Sequence, residues 1–497
     1  MEKGCVFSYL ITEDKFTIAE LPTEKKFGKY TVLVDRNTPF SSASDGSVEC
    51  AIFGVAVNVI SGSSDGILEE ILEKCKSIQD LIEYEAYLGG KYILLFRIGE
   101  QYYLQGDATC SIPCFYNTVG DFICSSNDQY IVKARKFYED GEYCSIRRCG
   151  DISQAMPYDI TSYREIKQLI PNHYLDINTQ KSVRFINAQT RQKIVSVDKA
   201  VEITLPMIEN ILDFYLRNYK IYCPITSGRD SRVVLSFLMK SKVDFSCYTI
   251  KHPEHNDTTQ DIVLPIELCK KQRIPHRLVK DVILSDEQIC EIDALLGEGC
   301  YSKRTLRIGQ TVREFFGDGA IINGDIIGQV GKCSLHRDIP SCFATPAYFR
   351  CKLHNYSREA KKLLRLWLKE IKHSGEKINT FDLFSVESRM GRWAAQENLL
   401  YNSLGQVYLN IFNSRSIIYV WTSVSRKYRK KSLIHIGLIE KKASDLLKIP
   451  FAQDESAVIS ISKLNGIFYL LSSFLKYYIE KQLFFRRKNH EKIDNNS

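Results

Sequence analysis

One stretch of the chain carries chemistry in its spacing: Ile225-Thr226-Ser227-Gly228-Arg229-Asp230-Ser231-Arg232. Small residues between a strand and a helix let backbone N–H groups approach a phosphate, and a helix beginning at Ser231 aims its positive dipole end at the same point. The hydroxyls of Thr226, Ser227 and Ser231 add donors, and Asp230 supplies a hard oxygen ligand for the Mg²⁺ that accompanies ATP. Together these make a pyrophosphate cradle. The plainer alternative is an ordinary strand-to-helix turn with Asp or Ser as its N-cap.

Such a turn needs a parallel sheet to hold it, and the flanking sequence reads as one. Residues 197–219 place Val201, Leu205, Ile208, Ile211, Leu212 and Tyr215 at helical spacing, and a strand over 221–225 follows. After the turn come a helix over 231–240, a strand over 244–250, a helix over 261–271 and a strand over 276–279. Strands alternating with helices predict a parallel sheet with helices on both faces. Before residue 190 the texture differs. An apolar run at 51–60, a helix over 65–84, a break at Gly89-Gly90, strands at 91–98 and 101–105 joined by Gly99-Glu100, and a strand at 121–125 suggest stacked sheet with little helix. Beyond about residue 345 the chain reads as mostly helical, down to a polar tail from Lys488.

Thr226 to Ser231 resembles the Ser-Gly-Gly-x-Asp-Ser loop of the ATP pyrophosphatase superfamily, particularly the asparagine synthetase family. In the same order, residues 91–96, 102–104, Gly106-Asp107-Ala108 and Ile112-Pro113-Cys114-Phe115-Tyr116 resemble that family's N-terminal segment. Residues 166–175 resemble the stretch ending in Pro-Gly-His, and 408–415, 429–435 and Ile449-Pro450-Phe451 resemble the late synthetase region. The resemblance implies an α/β chain: an N-terminal Ntn-type αββα sandwich over 1–190, then a parallel-sheet ATP-pyrophosphatase (adenine nucleotide alpha hydrolase-like) synthetase domain with a helical C-terminus over 191–485, and a tail over 486–497. It implies ATP and Mg²⁺, with Asp230 on the metal, the backbone of Thr226, Ser227, Gly228, Arg229 and Ser231 on pyrophosphate, and Thr249 and Ile250 beside adenine.

The departures from the family matter as much. Its glutaminases use a cysteine exposed after Met removal, whereas position 2 here is Glu2, and Cys5 would serve only after trimming. Ser227 replaces the first loop glycine. The second acidic motif falls at residues 322–331, where Gly324 is followed by Asp325 alone and Gln329 stands in place of Glu; Asp325 is the expected substitute ligand. The late Glu-x-Arg-x-Pro-Phe segment is replaced around Asn410-Ile411-Phe412, with no acid. Arg426, Lys427, Arg429, Lys430 and Lys431 read either as a solvated face or as the cations that neutralise departing pyrophosphate, with Lys431 the nominee.

Composition narrows the rest. The 497 residues suggest two to four domains, and 44% hydrophobic with 25% charged residues fits a folded globular chain. A net charge of +8 is too diffuse for a nucleic-acid stripe. Sixteen cysteines without a Cys-x-x-Cys pair exclude zinc-ribbon and redox motifs, and with no apolar leader the thiols are expected to be reduced and the chain cytoplasmic. His252 and His255 read as surface residues, and residues 467–485 as a helix packed on the core, with a helix lying on a membrane surface as the alternative and no segment spanning a membrane. The expected function is an ATP-dependent, AMP-forming carboxylate–amine ligase acting on a small-molecule, sugar-acid or peptide carboxylate, with ammonia, a separate amidotransferase or the substrate itself supplying the amine. Alternatives are asparagine synthesis from ammonia, an inactive nucleotide-binding scaffold, and a sulfur-transferring RNA enzyme; the last lacks a catalytic Cys pair and an RNA-binding surface.

Overall fold

The computed structural model describes residues 4–143, 156–187, 194–241, 243–297, 301–333, 341–353, 355 and 357–452. Glu2, the 467–485 helix, the basic residues 486–492 and the polar tail lie outside them.

The first part contains β1 (Tyr9–Thr12), β2 (Thr23–Phe27), β3 (Tyr30–Val34), β4 (Phe40–Ser44), β5 (Val48–Asn58), α1 (Ile67–Lys74), α2 (Ile78–Glu85), β6 (Leu88–Ile98), β7 (Gln101–Gly106), β8 (Phe115–Asn117), β9 (Ile123–Ser125), α3 (Asp128–Arg135), β10 (Ile166–Gln168), β11 (His173–Asp176) and β12 (Lys181–Arg184). They form two antiparallel sheets, ordered β10-β8-β9-β1-β3-β2 and β12-β11-β7-β6-β5-β4. Side chains alternate across each strand, so one face of each sheet can meet the other. Tyr9, Ile11, Tyr30 and Val32 of the first sheet share a core with Phe53, Val55, Ile93 and Leu104 of the second, with the Tyr9 and Phe53 rings 5.4 Å apart. The outer faces take α1 and α2 on one side (Ile67, Ile71 and Leu81 on Ile52, Leu94 and Phe96) and α3 on the other (Ile131 near Leu10 and Ile123).

The helix expected over 65–84 is two helices, α1 and α2, separated by Cys75-Lys76-Ser77, with Ser77 capping the second. Gly89 and Gly90 are not a break but lie inside β6. A Cβ at Gly89 would sit 2.6 Å from Ile211, and one at Gly90 (φ +132°) would sit 2.1 Å from the Val55 carbonyl, so the strand keeps glycine where neighbouring chain presses on it.

The second part contains α4 (Val197–Asn218), β13 (Ile221–Pro224), α5 (Arg229–Leu238), β14 (Phe245–Lys251), α6 (Gln260–Gln272), β15 (His276–Lys280), α7 (Asp286–Leu296), α8 (Lys303–Phe316), β16 (Ala320–Ile322), α9 (Pro346–Lys352), α10 (Arg358–Ser374), α11 (Thr380–Phe384), α12 (Ala395–Ser403), β17 (Val407–Leu409), α13 (Arg415–Thr422), α14 (Arg426–Arg429) and α15 (Leu433–Ala443). Two stretches are π-helical, Ile327–Gly331 and Ser385–Ala394. The sheet is parallel throughout, in the order β15-β14-β13-β16-β17. From β13 the chain steps outward to β15 and then returns to the other side of β13 for β16, so the carboxyl ends of β13 and β16 flank the switch point where open α/β sheets take ligands. The boundary expected at 190/191 falls in the undescribed stretch between β12 and α4. No helix of the described residues is long and apolar enough to cross a membrane.

The two parts meet through buried charge. Arg415, at the start of α13, inserts into the sandwich, where Nε donates to Glu85 Oε2 at 2.5 Å and Nη2 to the Gly106 carbonyl at 3.0 Å. Tyr92 and Gln105 complete the Glu85 shell. From the sandwich side, Lys91 Nζ donates to Asn402 Oδ1 at 2.9 Å, Asn398 Oδ1 at 3.1 Å and the Tyr408 carbonyl at 3.2 Å. Removing one member of such a pair leaves an uncompensated buried charge. Arg415→Met is therefore expected to lower stability by about 3–5 kcal/mol in urea unfolding, and Glu85→Leu/Arg415→Met to recover most of it. A double variant no more stable than the single would place the cost in packing instead.

Candidate functional site

The loop after β13 is fastened before it turns. Ile225 N–H donates to the Tyr248 carbonyl, and the Thr249 hydroxyl, 3.0 Å from His276 Nε2, donates to the Ile225 carbonyl at 2.8 Å. Thr249 is thus buried between strands, while Ile250 is half-buried against the apolar cluster beneath. Ser227 gives both its N–H (3.1 Å) and its hydroxyl to Asp261 Oδ1, at the first turn of α6. Thr226 and Ser231 bond each other through their hydroxyls at 3.2 Å. The helix begins at Arg229, two residues earlier than the sequence predicts, because extended Gly228 is its N-cap. Gly228 has no side chain to cap with, which leaves the first-turn N–H groups to an acceptor from elsewhere.

Asp230 lies in that first turn, and three remote segments close on it. Gly324 and Gly328 approach so closely that added Cβ atoms would lie 2.8 Å from the Asp230 carbonyl and 2.7 Å from its Oδ2. Lys332 Nζ, just past the Ile327–Gly331 turn, donates to Oδ2 at 2.8 Å, and His435 Nε2, on α15, meets Oδ1 at 2.9 Å. Burial pushes the Asp230 carboxyl up, but His435 and Lys332 together reverse this and hold it at about 2. Burial holds His435 below the usual imidazole range against the pull of Asp230, and Lys332 is the cation on the carboxylate's other oxygen.

Asp325 follows β16 directly. It reaches solvent, yet stands in a cleft walled by protein where desolvation and the facing Asp230 push its carboxyl up to about 6, against Arg389. A second acid, Glu397 on α12, accepts from Thr305 Oγ1 at 3.2 Å and is pushed up to about 8 by burial and by Asp325. Arg389, on the Ser385–Ala394 π-helix, lies 3.5 Å over the Trp393 ring and feels both acids. The cleft therefore holds two carboxyls with raised proton affinity and a guanidinium, beside the loop at the switch point.

The structure brings Thr226 to Ser231, Gly324 and Asp325 together. Lys431 is exposed on the turn before α15, and no side-chain partner meets it among the described residues. Its cluster is not a uniformly solvated face: Arg429 is buried, donating to Asp382 at 2.6 and 2.9 Å and to the Val330 carbonyl. His252 pairs with Asp281 at 2.8 Å. Asp261, Lys332, Arg389, Glu397 and His435 escape the sequence reading. Lys332 lies seven residues past Asp325, and His435 closes the 429–435 segment that carries part of the resemblance, though neither is given a role there.

A resident divalent ion is a poor match to Asp230. Both oxygens already accept from nitrogen donors, and among the described residues no group of three or more His, Cys, Asp or Glu stands together. At about 4 Å and an effective dielectric near 20, a divalent ion would gain on the order of 8 kcal/mol from Asp230 and lose a similar amount to Lys332. The residues as they stand do not fit Mg²⁺ held by Asp230, contrary to the expectation; Asp325, unlike Asp230, has no hydrogen-bonded cation among the described residues.

No family model matches the chain, and no curated protein matches it. Among solved structures, an NMN synthetase from Francisella tularensis aligns at 12% identity over 36% of this chain and 74% of that one, with a TM-score of 0.18. A glutamine phosphoribosylpyrophosphate amidotransferase from B. subtilis, complexed with ADP and GMP, aligns at 12% identity over 65% of this chain and 69% of that one, with a TM-score of 0.24. Likenesses this low carry no argument about the chain.

The acid pair has a pH signature. An unfolded glutamate titrates near 4.3, so between about pH 4 and pH 8 the folded chain holds a proton at Glu397 that the unfolded chain has lost, and this group's contribution to stability falls as pH rises. Glu397→Gln, which mimics the protonated form, is expected to match the wild-type Tm near the bottom of that window and to exceed it by a growing margin toward the top. A constant difference across the window would remove the buried proton from Glu397.

Proposed function

We propose that the chain is an ATP-dependent, AMP-forming carboxylate–amine ligase of the asparagine synthase-like type, in which an Ntn-like sandwich without a working glutaminase supports an ATP-pyrophosphatase-like domain. The observation that carries it is the pairing, at one switch point, of a helix N-terminus without a side-chain cap in a small-residue loop with a cleft that groups Asp325, Glu397 and Arg389. A polyphosphate on the first turn of α5 would meet backbone N–H groups and a positive dipole. Any Mg²⁺ arrives as part of the Mg-ATP substrate, with Asp325 the acid free to meet it.

The chemistry follows from what a carboxylate lacks. Expelling oxide from it is prohibitive, so a substrate carboxylate oxygen attacks the α-phosphorus, the bond to pyrophosphate breaks, and an acyl-adenylate forms. The amine then attacks the acyl carbon, AMP leaves, and a proton must be taken up. Asp325, held at about 6 and so ionised at neutral pH, is suited to accept it, while Glu397 keeps its proton up to about pH 8. Arg389 is suited to a carboxylate or phosphate oxygen of the acceptor. Carboxylate and amine are proposed by class only: a small-molecule, sugar-acid or peptide acid, and ammonia, a separate donor or the substrate's own amine.

Cys5 supports the loss of glutaminase. Its Sγ donates to the Glu20 carbonyl, and burial pushes its thiol up to about 11, the reverse of nucleophile activation. Incubation with glutamine is expected to release no glutamate above background. Release abolished by Cys5→Ala would reverse that conclusion.

A second reading, an inactive nucleotide-binding protein, is favoured by two observations: Asp230 is already paired with Lys332, and the loop hydroxyls of Thr226 and Ser231 bond each other. Pyrophosphate release, stimulated by fractionated cell extract as the acid and amine source, separates the two. The ligase is expected to release pyrophosphate and AMP together, and Asp325→Ala to lose about 100-fold in turnover, or roughly 2.7 kcal/mol, while ATP affinity changes less. Bound ATP with no stimulated turnover would leave the inactive protein.

A further inference from the structure

We propose that Lys332 supplies, from the chain itself, the positive charge at the phosphate loop that a divalent ion on Asp230 would otherwise bring. The inference rests on the nucleotide-binding part of the function proposed above and extends it to how the phosphates are neutralised.

Three features single out Lys332. Its position is fixed by backbone: the π-helical turn Ile327–Gly331 lies directly on Asp230, since a Cβ at Gly328 would come within 2.7 Å of Oδ2 and one at Gly331 within 2.7 Å of Ile327 and 3.2 Å of the His435 ring. Its ammonium is anchored, 2.8 Å from Asp230 Oδ2, in the first turn of the helix whose N-terminus forms the loop. It is also reachable, with 26% of the side chain exposed, whereas His435 on the other oxygen is fully buried. An ammonium has three donors, and Asp230 takes one. The others are available to a polyphosphate seated on that turn, the point-charge role that a lysine performs well. Lys431, the cation expected from sequence, is exposed but has no such anchor among the described residues.

The consequence is a nucleotide site that works without a metal bridge on Asp230. Calorimetric titration of the full chain with ATP, in EDTA and then in excess Mg²⁺, reads it directly. Wild type is expected to bind ATP in EDTA within about threefold of its affinity in Mg²⁺, and Lys332→Met to lose about 30-fold in EDTA and recover much of that loss in Mg²⁺, because the vacated Asp230 can then take the ion. Wild-type binding that collapses in EDTA, or Lys332→Met binding like wild type in EDTA, would overturn the inference while leaving the ligase intact. No ATP binding by wild type in either condition would remove the nucleotide reading and this inference with it. The wild-type comparison needs no variant, so misfolding of Lys332→Met cannot hide the answer.

Discussion

The side chains of Arg415 and Lys91 cross the boundary between the sandwich and the parallel-sheet domain in opposite directions, and each must find partners on the far side because neither can remain buried without them. Glu85, Tyr92 and Gln105 wait for the first, Asn398, Asn402 and the Tyr408 carbonyl for the second. Arg392 makes a third crossing, from the longer π-helix to Gln168 and the Ile160 carbonyl, and Arg184 a fourth, from β12 to Glu387. These contacts specify one relative placement of the two halves, since any sliding would strand a charge in a low dielectric.

That placement reaches the cleft. Asn398 and Asn402 lie on the helix that carries Glu397, and Glu387 and Arg392 lie on the π-helix that carries Arg389. The sandwich thus grips, from behind, the two elements that present the acid and the guanidinium to Asp325. The sandwich therefore holds one wall of the candidate site in its neighbour. Lys91 is buried at this seam, which pushes its ammonium down to about 7.

Much of the frame is legible in the sequence because its signals are local. The helix at 197–218, the strands and helices around the loop and the β6–β7 hairpin follow from spacing within a dozen residues, and the turn 226–231 carries its chemistry in consecutive letters. β16 and β17 escape notice because three residues cannot display a period, although β16 forms half of the switch point. The remaining site residues are invisible for a different reason. Asp261, Lys332, Glu397 and His435 stand 34 residues from Ser227, 102 from Asp230, 92 from Thr305 and 205 from Asp230, and an ordinary Lys or Glu carries no mark of the partner it will meet. Arg429 shows the same limit in reverse: within a run of basic letters it looks solvated, and only Asp382, far along the chain, makes it a core residue.

The two π-helical stretches make residue count, as distinct from residue identity, a property of the site. A π turn accommodates an extra residue that an α-helix would not, so a one-residue deletion within 385–394 would let the segment rewind as α-helix and turn everything on one side of it by about 100° relative to the other. Glu387 and Arg392 face the sandwich while Arg389 serves the cleft, and no α-helical register keeps all three assignments. Relatives that share this arrangement should therefore tolerate exchange of letters here far more readily than gain or loss of one, and gaps in this segment would mark chains whose cleft is built differently.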